Sequence, residues 1–99
     1  MGYKIMISPK AMDDLDEAYS SIAELTKSKE ITERYIANIE EAIFTLERIP
    51  KKGGFRKYGK YAGKKYRQIF VNKYTIVYRI DENVKEIIII TIRPTACKF

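Results

Sequence analysis

The sequence predicts an α+β domain: a short N-terminal strand, an antiparallel helical hairpin, and a mainly antiparallel sheet ending in a three-strand meander. Two stripes of apolar residues fall at helical spacing, Leu15, Ala18, Tyr19, Ile22 and Leu25, then Ile36, Ile39, Ile43 and Leu46. Only Thr26-Lys27-Ser28-Lys29 separates them, and so short a link folds two amphipathic helices back on each other. Beyond residue 64 the period changes to two, with turn residues at Asn72-Lys73 and Asp81-Glu82-Asn83.

Each element has a local cause. Tyr3 to Ile7 alternates and is rich in strand formers. Ser8 then caps a helix whose first position is Pro9, where the missing amide hydrogen costs nothing; this helix is predicted over about 9–26. Ser28 caps a second helix, predicted to run to about Ile49, where Pro50 stops it. Lys51 to Gly63 reads as a basic loop containing Gly53, Gly54, Gly59 and Gly63 but no phosphate-loop pattern. Strands follow near 64–71, 74–81 and 84–92. The last contains Ile87 to Ile90 and is expected to be central and covered on both faces. Residues 1–99 are read as a single domain.

The first hairpin decides which face carries what. A three-residue loop, Val71 to Lys73, pairs Phe70 with Tyr74. It turns Tyr66, Gln68, Phe70, Tyr74, Ile76, Tyr78 and Ile80 toward the helices. Arg67, Ile69, Thr75, Val77 and Arg79 then take the open face. A two-residue loop would put Arg67 beside the helices, where an unpaired guanidinium is costly, so the longer loop is preferred.

Charge is segregated along the chain. Residues 1–47 carry five basic and ten acidic side chains, whereas Arg48 to Ile80 carries eleven basic and none acidic. Tyr58, Tyr61, Tyr66, Tyr74 and Tyr78 are threaded through the basic segment. Such a field attracts polyanions, either nucleic acid or an acidic protein segment. Candidate contact residues are Lys51, Lys52, Arg56, Lys57, Tyr58, Lys60, Tyr61, Arg67, Arg79, Arg93 and Lys98.

Composition removes other chemistries. There is no histidine, the commonest general base and zinc ligand. The one cysteine, Cys97, cannot form an internal disulfide, so a reducing, cytoplasmic setting is expected. Asp13, Asp14, Asp16 and Glu17 read as a solvated helix face rather than a metal site, and neither metal nor cofactor is expected. No apolar run is long enough to span a bilayer.

The order of elements, with certain segments, resembles the RelE/ParE superfamily of toxins from bacterial type II toxin–antitoxin modules. The segments are Ile7-Ser8-Pro9-Lys10-Ala11, Asp14-Leu15, Leu46-Glu47-Arg48-Ile49-Pro50, Tyr66 to Val71 and Tyr74 to Ile80. The resemblance implies a basic toxin held inactive by a cognate acidic antitoxin, which would also set the oligomeric state. RelE-like members cut messenger RNA on the ribosome, and ParE-like members poison DNA gyrase. Arg67 matches a basic position of the nucleases. Ile69, Thr75 and Thr95 stand where basic residues are usual, and no tyrosine follows before Phe99. For a nuclease, Arg67, Arg79 and Arg93 remain to hold phosphate charge, but no orthodox proton acceptor does. The resemblance therefore favours a ParE-like, non-nuclease toxin. A RelE-like endoribonuclease is the alternative, and a non-toxic RNA-binding module stands behind both.

Overall fold

The computed structural model describes residues 2–63, 65–97 and 99. Its element order is β1 (Lys4–Ile7), α1 (Pro9–Thr26), α2 (Lys29–Thr45), β2 (Gly54–Phe55), β3 (Arg67–Val71), β4 (Tyr74–Asp81) and β5 (Glu86–Pro94). The five strands form one sheet in the order β1-β5-β4-β3-β2, with β1 parallel to β5 and every other pair antiparallel. This is the α+β architecture that the two periodicities require.

Both helices begin where the sequence places them. The Ser8 and Ser28 hydroxyls accept from the third residue on, Ala11 and Ile31, relieving one free amide of each first turn. Lys27, at φ 57°, closes α1 in the left-handed conformation. The second helix is shorter than expected. After Thr45 the bonding tightens, with Leu46 N–H donating to Ile43 and Glu47 N–H to Phe44, so a turn replaces the last helical residues. Leu46 remains fully buried in that turn.

The core lies between the helices and one face of the sheet. Ala11, Ala18 and Ile22 of α1, with Ile39 and Ile43 of α2, meet Ile69, Tyr74, Ile76, Tyr78, Ile87, Ile89 and Ile92. Burying such side chains contributes about 1.5–3 kcal/mol each. The last strand is interior, flanked by β1 and β4, but of the run Ile87 to Ile90 only Ile87 and Ile89 are fully buried; Ile88 and Ile90 are half-buried. A register shift opposite Val77–Tyr78 leaves Ile90 as the extra residue.

The hairpin between β3 and β4 differs from expectation. Val71 pairs with Tyr74, so the loop has two residues, and Asn72 and Lys73 both have positive φ, 49° and 67°. That is the primed turn whose twist matches the strands. The register therefore slips by one relative to the expected pairing. Ile69 is in the core, and Phe70 faces solvent with 64% of its surface exposed. The objection to this register is met locally: Arg67, at the strand start, donates to the Gly53 carbonyl (2.7 Å) and lies 4.1 Å over the Phe55 ring.

The acidic group of α1 is also not wholly a solvated face. Asp14 is only 8% exposed. It accepts from the Thr91 hydroxyl, the Ile92 amide (3.0 Å) and Lys10 Nζ (3.2 Å), tying α1 to β5 beside the bulge.

Candidate target-binding surface

The acid-free segment does not fold into one uniform patch. It contributes to two separate structures, one toward each end of β4. The first is a groove of about 410 Å³ lined by Lys51, Phe55, Lys65, Arg67, Arg79, Ile80, Asp81, Glu82 and Asn83. Its cations come from the loop after α2, the start of β3 and the far end of β4. None of these four cations makes an ion pair within 4.0 Å among the described residues. Glu82 on the rim is engaged elsewhere, accepting from the Tyr3 hydroxyl (2.7 Å) with Lys85 nearby (3.7 Å). The groove is thus positive in net effect.

The loop that carries Lys51 is anchored by Tyr78 of the core, whose hydroxyl donates to the Pro50 carbonyl (2.7 Å) and accepts from the Gly53 amide (3.0 Å). Gly53 lies so close to β3 that a Cβ there would sit 2.2 Å from the Gln68 carbonyl oxygen. Glycine is required for that approach. Gly53→Ala is expected to displace the loop and lose at least about 1 kcal/mol of stability, measured by urea unfolding.

The second structure covers the outer face of the sheet over Thr75 and Val77 and leaves Phe70 largely exposed. Arg56, Tyr58, Thr95, Cys97 and Phe99 gather over Gln68, Phe70 and Thr75 around a cavity of about 50 Å³. Arg56, read from sequence as a contact residue, is only 4% exposed. Its guanidinium donates to Gln68 Oε1 (2.7 Å) and to the Phe99 carbonyl (2.6 Å), and lies 4.3 Å from the Phe99 ring. Its Nε is buried without a partner. Arg93 belongs here too, 5.4 Å from the Phe99 ring and donating to Cys97 Sγ at 3.4 Å. Thr75 and Val77 are consequently buried, not open to solvent as the expected face assignment had them.

The structure brings together Lys51, Arg67 and Arg79 of the residues named from sequence, and separately Arg56, Tyr58 and Arg93. Lys52, Lys57 and Lys60 are exposed along the loop, and Tyr61 packs edge-on against Tyr66 at 5.5 Å. Lys98, like Lys64, lies outside the described residues. Sequence reasoning passed over Phe55 and Phe99, which carry no charge, and Gln68, which was assigned to the other face.

Proton transfer finds little support here. Burial first, then the charge of Glu17, raises the pKa of Tyr74. Burial also raises that of Tyr78, and the hydrogen bond to Glu82 that of Tyr3. A phenol shifted upward is a poorer source of phenolate. Thr75 and Thr95, two of the positions where the resemblance leads a basic residue to be expected in a nuclease, bond to each other at 2.9 Å.

Residues 5–98 match the family described as ParE toxin of the type II toxin–antitoxin system parDE. The chain belongs to this family. It is therefore a ParE-like toxin of the RelE/ParE superfamily. A comparison with curated proteins gives no significant match. Among solved structures, the chain resembles the chromosomal ParDE system of P. aeruginosa, with 21% identity, 93% of this chain and 95% of that chain covered, and a TM-score of 0.76. It resembles the toxin–antitoxin complex RelBE2 of Mycobacterium tuberculosis at 22% identity, covering 95% and 99%, with a TM-score of 0.66. The archaeal RelE–RelB complex of Pyrococcus horikoshii follows at 17% identity, covering 96% and 97%, with a TM-score of 0.64. At these identities the structural likeness speaks for the fold. No described helix of this ParE-family toxin is long and apolar enough to cross a membrane.

Proposed function

We propose that this toxin acts by binding its target, DNA gyrase, and not by cutting RNA, and that a cognate antitoxin with an acidic segment neutralises it. The observation that carries the reading is the covered outer face of the sheet. Thr75 is buried there and bonded to Thr95 of the terminal segment, which Arg56 fastens at Phe99. A ribonuclease needs cations and a proton acceptor around an accessible phosphate. On this face the arginines are committed to Phe99, Gln68 and Cys97. The family match supports the ParE side of the choice. The antitoxin follows from membership in a toxin–antitoxin family, and two of the structures the chain resembles are toxin–antitoxin complexes.

Target contact is assigned to the groove cations Lys51, Arg67 and Arg79 and to the exposed loop residues Lys52, Lys57, Tyr58 and Lys60. Exposed charges of this kind set association rate and salt dependence. The test is to incubate purified toxin with gyrase and supercoiled DNA, and separately with programmed ribosomes. Gyrase inhibition without message cleavage is expected, and Lys51→Glu with Lys52→Glu and Lys57→Glu is expected to weaken inhibition and flatten its salt dependence. Codon-specific message cleavage, lost on Arg67→Ala and with gyrase unaffected, would make the ribosome-dependent nuclease the correct reading.

A further inference from the structure

The strand β4 is only partly paired on one side. β3 begins at Arg67, opposite Tyr78, while β4 continues through Arg79, Ile80 and Asp81. Those three residues pair with β5 on one side only: Arg79 with Ile88, Ile80 with Ile87, Asp81 with Glu86. The other side opens into the cationic groove, of which Arg79, Ile80 and Asp81 form the wall.

The phase of the ladder tells which backbone groups point there. A two-residue hairpin closes on a hydrogen-bonded pair, here Val71 with Tyr74. Antiparallel pairs alternate, so Ile69 with Ile76 and Arg67 with Tyr78 are the next bonded pairs. One step further the row reaches Ile80, where β3 has no residue to offer. The Ile80 N–H and C=O therefore aim into the groove, and neither has a backbone partner there among the described residues. An open strand edge of this kind is a template for another strand.

We propose that this groove takes an extended acidic peptide, added to the sheet beside Arg79–Asp81 in line with β3. The added strand would exchange its own amide and carbonyl with those of Ile80. Its side chains would alternate between the two faces of the sheet. Arg67 shares a face with its cross-strand neighbour Tyr78, and Arg79, next along β4, takes the opposite one. Cations therefore await both sets of side chains, and a segment with acidic residues at adjacent positions fits best. Lys51 and Lys65 extend the positive lining, and the Phe55 ring, 46% exposed, offers an apolar contact. The donor and acceptor of Ile80 together favour a peptide over a nucleic acid strand, whose phosphates can accept but not donate. The source of such a peptide, an antitoxin tail, rests on the toxin reading; the recognition itself does not.

The probe is an acetylated, amidated octapeptide of valine and glutamate with paired glutamates, titrated into the purified chain. Amide hydrogen exchange and backbone chemical shifts supply the readout. The Ile80 amide is expected to gain at least ~10-fold protection at saturation, and a peptide N-methylated on its edge-facing amides to bind at least ~10-fold more weakly. Lys51→Glu with Lys65→Glu, both exposed and outside the core, should weaken binding and reduce its salt dependence without altering unfolding. Absence of binding, unchanged exchange at Ile80 on binding, equal affinity of the N-methylated peptide, or tighter binding of an eight-nucleotide single strand would each overturn the proposal. Peptide capture by a chain that proves non-toxic would count against the toxin reading alone; toxicity without capture would count against this site alone.

Discussion

Asp14→Ala is expected to destabilise the protein by about 2–4 kcal/mol, a large share of the 5–15 kcal/mol that holds a small domain together. The carboxylate is nearly inaccessible and accepts from the Thr91 hydroxyl, the Ile92 amide and Lys10. Removing it leaves the first two donors buried without an acceptor, and α1 loses its polar tie to β5. Burial alone would raise the Asp14 pKa, but the bonds from Thr91, Ile92 and Lys10 outweigh it and hold the group below its ordinary value. A depressed folded-state pKa gives stability that is present above the unfolded value. That stability is lost as pH falls through the folded one. The wild type should therefore lose stability on acidification below about pH 4, and Asp14→Asn should lose part of that pH dependence. Urea unfolding from pH 7 down to pH 2.5 measures both. An alanine variant as stable as the wild type at pH 7 would refute the assignment.

Much of the fold was legible because the signals were local. The serine caps and Pro9 set both helix starts, and the apolar spacing picked out the faces that reach the core except at Leu25, which lies at the last turn of α1 and is 84% exposed. What failed was decided by geometry between elements. The hairpin register turned on whether Arg67 could be tolerated near the helices, and the sequence does not show that the Gly53 carbonyl and Phe55 ring stand ready to receive it. Asp14 looked like its neighbours Asp13 and Asp16, since only the fold brings Thr91 to it across 77 positions. Gly54–Phe55 was hidden as a strand because two residues carry no periodicity. The candidate site was half visible for the same reason. The basic run announced Lys51, Arg67 and Arg79, but nothing local separated them from Arg56, which is charged like the rest and buried unlike them.

Arg56→Ala is expected to cost about 2–4 kcal/mol and, in doing so, to uncover the outer face of the sheet. Two opposing effects set that size. The guanidinium makes two short charge-assisted bonds, to Gln68 and the Phe99 carbonyl, and stacks on the Phe99 ring. Against these stands the cost of burying a cation with no Asp or Glu side chain within 4.0 Å among the described residues, marked by its unpaired Nε. Truncation to alanine removes the charge but leaves a cavity and two unmatched acceptors, so the loss prevails. Arg56→Met fills the space without the charge and should cost less. Arg56→Lys cannot span Gln68 and Phe99 with one planar fork and should rescue poorly. Gly59, at φ 84° and without room for a Cβ, which would fall 2.0 Å from the Phe99 main-chain oxygen, shows how closely loop and terminal segment are joined at this point. In the alanine variant, amide exchange at Thr95 and Cys97, whose amides bond to Lys73 and Pro94, should accelerate well before β4, β5 and α1 respond. Uniform acceleration across the chain would mean that Arg56 supports the whole fold and not this cover. Unchanged exchange would mean that the segment is held by packing of Phe99 alone.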